Sequence, residues 1–454
     1  MFDLIIRNCQ IVNGDQKPFM GSVAVKGEKI AAILEADTEI TARVDINGTG
    51  QVLFPGIIDP HVHFHYTYNY RDNSRDYDTE TFSALLGGVT TAIRMHRGQS
   101  SIEKHLPPEI EMLEAQSRID MTMHLTLMTE EHLATFPEYC DLFGINSFKL
   151  YLAYKGKAGE LQGILGSDDG FLFDAMCRIG RYPGGIVCVH AENSEIIERL
   201  VSQLKADGRN DLAAWTEARP GWTEGEAISR AGYIAHNANC PLYIVHMTSA
   251  EGVQAVEQLR DRGVQVYAEV CIQHLTHTID TSLGVLAKVN PPLRYQEDVL
   301  ALWDAVERGV IDTIATDHVA HTKAKAKVPL WDIMPGNPGT ATLLPALLTF
   351  GYHAGRLSLS QVASLLSKNT SDIFRLENKG KIVVGGDADL VLVDLSLERQ
   401  ATPEWLGSPS DYSLYQNMTL KGWPTKVVLR GEVVMEDGEV KAEPGYGKFI
   451  RRES

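Results

Sequence analysis

"GINSFKLYLAYKG", residues 144–156, sets a lysine inside an apolar run. Phe148, Leu150, Tyr151, Leu152 and Ala153 around it read as a buried strand. Burial disfavours an ammonium and lowers a lysine pKa by up to about 3–5 units. Lys149 therefore needs a counter-ion or a chemical use, and the runs on either side of it decide which.

Seven other short apolar runs recur along the middle of the chain. They are "VLFPGIID" (52–59), "VTTAIRM" (89–95), "MTMHLTLM" (121–128), "GIVCVHAE" (185–192), "PLYIVHMTS" (241–249), "VQVYAEVC" (264–271) and "IDTIATD" (311–317). Stretches such as "TEGEAISRAGYIAHNA" and "AEGVQAVEQLRDRG" between them carry helical periodicity. Eight strands alternating with helices predict an α/β fold, a (β/α)8 TIM-like barrel. A doubly wound open sheet is the other arrangement of such units, but no G-x-G-x-x-G follows the first strand.

Both chain ends read differently. "FDLIIRNCQIV", "GSVAVKGEKIAAIL" and "ARVDING" alternate between Gly, Asn and Asp turns, and "GKIVVGGDADLVLVD" and "PTKVVLRGEVVMEDGEV" resume that style. The expected organisation is a small β-sandwich built from residues 1–52 and 378–454, with a barrel of residues 53–377 inserted between its halves.

Metal-type side chains gather at the C-terminal ends of the barrel strands, the rim where such barrels place their active sites. Strand 1 is followed by His61 and His63, strand 4 holds Lys149, strand 5 ends on His190, strand 6 on His246 and strand 8 on Asp317. In an extended segment residues i and i+2 point the same way, so His61 and His63 can share one ion. A neutral, desolvated lysine amine is a nucleophile. It can add carbon dioxide to form a carbamate, whose two oxygens can bridge two cations. The other role open to Lys149 is an ion pair with Asp317 or a glutamate.

The chain has 454 residues, 44% of them hydrophobic, and a net charge of −17. The acidic balance argues against nucleic-acid binding and offers no basic patch to an anionic membrane. No run of 18 or more apolar residues is present, so no transmembrane helix is expected. Asp3 and Arg7 interrupt the start of the chain, so it does not read as a signal peptide. Cys9, Cys140, Cys177, Cys188, Cys240 and Cys271 form no C-x-x-C pair and mostly lie in apolar runs. They read as reduced residues of a cytoplasmic protein.

"FPGIIDPHVHF", "GINSFKLYLAYKG", "VHAEN", "YIVHMTS", "NPPLR", "IATDH" and "NKGKIVVGGDADLVLVD" follow one another in the order found in the cyclic amidohydrolases, and the chain resembles that family over nearly its whole length. Hydantoinase/dihydropyrimidinase, dihydroorotase and allantoinase are its members. The resemblance implies a small-molecule cyclic amide substrate, a homotetramer, and two divalent ions, usually zinc. His61, His63 and Asp317 would hold one ion, His190 and His246 the other, and carboxylated Lys149 would bridge them. Hydroxide held by the ions would attack the ring carbonyl, with Asp317 passing its proton to the leaving nitrogen. Tyr154 corresponds to the tyrosine that hydrogen-bonds the developing oxyanion. Asn290 stands where hydantoinases commonly have a ring-contacting serine, and His321 is a further candidate for a polar substrate group.

The motifs divide over which ring is opened. Dihydroorotases usually carry an arginine two residues after H-x-H to hold the substrate carboxylate; this chain has His65 there, and its next strand ends "RMHRG" (94–98). Hydantoins or dihydropyrimidines are therefore expected to be opened faster than dihydroorotate, with allantoin third, unless Arg71, Arg75, Arg94 or Arg97 compensates. "NPPLR", "ATDHVAH" and "PGTATLLPALLT" look more like dihydroorotase and allantoinase. The loop "HYTYNYRDNSRDYD" after strand 1 is a candidate lid, substrate wall or oligomer contact. In the loop after strand 8, residues 335–337 are expected to offer backbone groups to the ring, and Lys323, Lys325 and Lys327 read as a solvated face. A single-metal deaminase would not need Lys149, and a metal-free scaffold related to dihydropyrimidinase would not need all six ligands.

Overall fold

In the computed structural model, which describes residues 1–66 and 71–452, two sheets divide the strands. One is an eight-stranded parallel barrel sheet in simple sequential order. Its strands are Ile57–Val62, Val89–His96, Asp120–Thr126, Ser147–Tyr151, Ile186–His190, Leu242–Ile244, Val266–Cys271 and Thr313–Ala315, numbered 1 to 8 below. Strands 8 and 1 meet through a parallel bridge between Val62 and His318 and through the Asp59 carboxylate, which accepts from Thr316 Oγ1 at 2.5 Å. The other sheet has nine strands, drawn from Phe2–Pro55 and Leu390–Val440 and mostly antiparallel. Its inner face buries Leu4, Ile6, Val25, Leu53, Leu390 and Leu392.

The expected first strand, 52–59, is in fact two. Val52–Pro55 pairs with Leu390–Val393 in the second sheet, and the barrel begins at Ile57. The chain crosses at Gly56, where an added Cβ would lie 2.1 Å from Thr90 Oγ1. Strands 4, 6 and 8 also end sooner than the apolar runs do. Tyr154, His246 and Asp317 have φ of 63°, 39° and 50°, a left-handed conformation that cannot continue a ladder. Between strands, Ser249 caps Ala250–Asp261 by accepting from Gly252 N, and left-handed Asn239 ends Gly221–Ala238.

Register fixes what faces the barrel interior. Cys188 pairs with Lys149 on one side and Tyr243 on the other, so these three share a face, and Tyr151 and His190 lie two residues further on the same face. Phe148, Val187, Val189 and Leu242 point outward into the main apolar core under the helices. At the opposite end of the barrel Phe374 packs against His124 and Tyr243 at ring distances of 4.8 and 4.9 Å.

The second sheet is tied to the barrel by buried charge. Lys379 Nζ lies 2.9 Å from Asp120 and 2.6 Å from Asp389, and Arg430 also pairs with Asp120. Lys379→Met leaves carboxylates in apolar surroundings without that cation. The expected loss is about 3–5 kcal/mol, the usual result of breaking a buried pair from one side. A urea midpoint that stays at the wild-type value would refute it.

The lysine run of the last long loop is not a solvated face. Lys323 and Lys327 are exposed, but Lys325 is completely buried. Its Nζ donates to Gly336 O at 2.6 Å, and buried Lys288 donates to Leu330 O and Ile333 O. The two side chains brace the loop from beneath, and burial pushes the Lys325 amine well below its ordinary pKa. A one-in-two spacing of lysines carries no sign of which one turns inward. Among the described residues all six cysteines are free and five are buried. No described helix is long and apolar enough to cross a membrane.

Candidate active site

One pocket at the C-terminal rim is lined by His61, His63, Lys149, His190, His246 and Asp317, together with Tyr154 and Asn290. The six candidate ligands thus converge from five strand ends. His61 Nε2 and His63 Nε2 lie 3.3 and 3.0 Å from Asp317 Oδ1, and one ligand atom from each of the three falls within 4.8 Å of the others. His190 and His246 stack edge to face at 4.5 Å, and His246 lies 5.3 Å from His61.

Two of the four imidazoles are held by a carboxylate that leaves the other ring nitrogen free. His61 Nδ1 contacts Glu269 at 2.8 Å, so Nε2 points toward Asp317. His190 Nε2 contacts Glu192 at 2.7 Å, which leaves Nδ1 for the pocket. Buried His246 Nδ1 has no hydrogen-bond partner among the described residues. Carboxylate–imidazole pairs of this kind fix tautomer and ring orientation in metal sites. Burial lowers the pKa of all four histidines, so they are neutral and able to coordinate.

Lys149 is 1% exposed and its Nζ has no hydrogen-bond partner among the described residues. Burial lowers its pKa to about 8, leaving far more free amine near neutrality than an exposed lysine has. A direct ion pair with Asp317 or a glutamate is absent among the described contacts. The orphaned amine, the free imidazole nitrogens and the Asp317 carboxylate form a donor set that fits divalent metal ions.

Tyr154 Oη accepts a 2.5 Å hydrogen bond from Asn290 Nδ2, while Asn290 Oδ1 is buried with no partner among the described residues. Pro335 and Gly336 line the pocket from the long loop. His321 does not line it. That ring is fully buried behind the loop, with Nε2 3.2 Å from Pro335 O, so it is neither a substrate contact nor a solvent-exposed histidine. Residues 67–70 of the loop after strand 1 lie outside the described residues. Tyr66, just before them, forms part of the pocket wall, and Arg71, just after, pairs with Asp76 and Glu80.

Several site residues were not singled out from sequence. Glu269 sits within "VQVYAEVC", where a buried acid is as conspicuous as Lys149. Burial raises it to about 7 despite donors from His246 N and Tyr243. Glu192 follows His190 by two residues, a spacing that puts both on one face. Arg97 was one of four rim arginines, and it alone of the four lines the pocket.

A parallel barrel with histidines, a lysine and an aspartate meeting at its C-terminal rim defines a metal-dependent hydrolase architecture. Residues 52–434 match the amidohydrolase family, and the chain belongs to it. It is 31% identical to the L-hydantoinase of Paenarthrobacter aurescens over 464 residues, covering 100% of this chain and 98% of that protein. It is 32% identical to the allantoinase of Rubrobacter xylanophilus, with 99% and 98% covered. Among solved structures, a D-hydantoinase superposes with a TM-score of 0.92 at 30% identity, covering 100% of this chain and 99% of that one. The L-hydantoinase (dihydropyrimidinase) from Arthrobacter aurescens gives 0.92 at 31%, with 100% of both chains covered.

Proposed function

We propose that this protein is a cyclic amide hydrolase that opens a hydantoin or dihydropyrimidine ring at a two-metal centre. The observation that carries the reading is the buried, partnerless Lys149 amine at the floor of a pocket ringed by four neutral histidines and Asp317. His61, His63 and Asp317 would hold one ion, and His190 and His246 the other. Lys149, carboxylated by carbon dioxide, would hold both. Divalent ions, zinc by family resemblance, would lower the pKa of a water toward roughly 7 and polarise a carbonyl when bound.

The chain's own groups supply positioning and proton transfer. Asp317 takes a proton from the attacking water and returns it to the ring nitrogen as the C–N bond breaks. Burial raises its carboxyl above the usual range, which favours both halves of that exchange. Tyr154, held by Asn290 through its hydroxyl oxygen, keeps its proton free for the carbonyl oxygen as charge develops there. Asn290 Oδ1 accepts a ring N–H, and the Pro335–Gly336 backbone supports the other edge. The six free cysteines accord with a cytoplasmic setting. A homotetramer is the assembly the resemblance suggests.

Allantoin is the second reading, favoured by the allantoinase of 32% identity. On a zinc-loaded preparation, kcat/KM for hydantoin or dihydrouracil is expected to exceed that for allantoin. Allantoin ranking first would select the second reading, and no opening of any ring would end both.

A further inference from the structure

The pocket holds a cation that no carboxylate among the described residues neutralises. Arg97, at the end of strand 2, lines the pocket, with its guanidinium carbon 4.4 Å from the centre of the Tyr66 ring. Its Nη2 is buried without a hydrogen-bond partner among the described residues. The groups nearest to it electrostatically include the phenols of Tyr66, Tyr151 and Tyr154, and the Tyr66 hydroxyl shares a hydrogen bond with it. Residues 67–70, Thr-Tyr-Asn-Tyr, contain no acid that would serve instead.

The other rim arginines each stand near an acid. Arg71 pairs with Asp76 and Glu80, Arg75 with Asp78, and Arg94 with Glu109. His65, at the position expected to bear a carboxylate clamp, contacts Glu109 at 3.0 Å and does not line the pocket. Arg219, on the neighbouring wall, stands 3.6 Å from Glu192. A partly desolvated guanidinium left without an anion is costly, and a charge-assisted contact with a carboxylate is the strongest remedy available to its planar fork.

We infer that Arg97 is a specificity-determining residue that binds an anionic substituent, a carboxylate, on the ring substrate. The inference rests on the ring-hydrolase reading and narrows its substrate class to cyclic amides or ureides that carry a negative charge beside the scissile ring. It gives position 97 the role that position 65 lacks.

Matched acid and amide substrates isolate the charge: hydantoin-5-acetate against hydantoin-5-acetamide, and dihydroorotate against its carboxamide. In the wild-type enzyme the acid of at least one pair is expected to exceed its amide by about tenfold or more in kcat/KM. Loss of a hydrogen bond to a charged group costs roughly 10- to 150-fold. Arg97→Met should therefore lower the acid-to-amide ratio by at least about tenfold, chiefly through KM, and Arg97→Lys should retain part of the preference. Because each variant is read as a ratio, general damage to the pocket cancels. An amide preferred in both pairs, or a ratio that Arg97→Met leaves in place, overturns the inference. Opening of unsubstituted hydantoin with all four substituted rings refused overturns it too, while leaving the ring-hydrolase reading intact. If no ring at all is opened, both fall.

Discussion

Lys149→Ala is expected to empty the site of metal and to abolish turnover. Elemental analysis of the wild-type protein should find about two divalent ions per chain, the complement of a binuclear hydrolase site. The alanine variant should hold far less than one. The barrel register puts Lys149 on the inner face between Thr126 and Cys188 and denies it water. Burial lowers its pKa to about 8 and no side chain receives its proton, so the free amine is within reach at neutral pH. Addition of that amine to carbon dioxide forms an N–C bond and releases one proton. It replaces a costly buried cation with an anion facing the histidines. Alterations to mere supporting residues of metal sites cost about 10- to 100-fold in affinity or activity, so loss of a bridging ligand should exceed that range. A short carboxylic acid supplied with metal should restore part of the activity by placing a carboxylate in the vacated space. Removing an unpaired buried amine should leave the fold intact, which circular dichroism would check. Full metal content and turnover in Lys149→Ala would sink the bridging role.

The barrel and its ligands were legible because their signals are local and repeated. Apolar runs alternate with helical periodicity eight times, and the candidate ligands lie within such runs or just after them. A histidine at a strand terminus points into the pocket once the barrel closes, so sequence position translates directly into place. The strand ends themselves were misplaced, since left-handed backbone at Tyr154, His246 and Asp317 stops the ladder while the apolar composition continues. Contacts across the fold left weaker traces. Glu269 holds His61 from 208 residues away, and nothing near either residue announces the other. Lys325 and His321 turn inward because a loop folds beneath itself, and loop conformation has no periodic signature. The four rim arginines looked equivalent in the sequence. Three meet acids and one faces the pocket, a distinction made by distant carboxylates such as Glu80 and Glu109.

Asp317→Asn should keep the fold and much of the ligand geometry while turnover drops by at least about 100-fold, the low end of what general acid–base catalysis contributes. The substitution is nearly isosteric, and the amide oxygen can still approach His61 Nε2 and His63 Nε2, which now lie 3.3 and 3.0 Å from Oδ1. What it removes is the capacity to take up a proton. The wild-type carboxyl is suited to that exchange because burial raises it above the ordinary carboxylate range. An amide has no comparable basicity, so the proton of the attacking water loses its acceptor and the ring nitrogen its donor. Metal content measured on the same preparation separates the two duties assigned to the residue. Metal retained with turnover lost assigns the deficit to proton transfer, and both lost together assign it to ligation. Near-normal turnover with metal in place would remove Asp317 from the proton path and leave the leaving nitrogen to be protonated by another group.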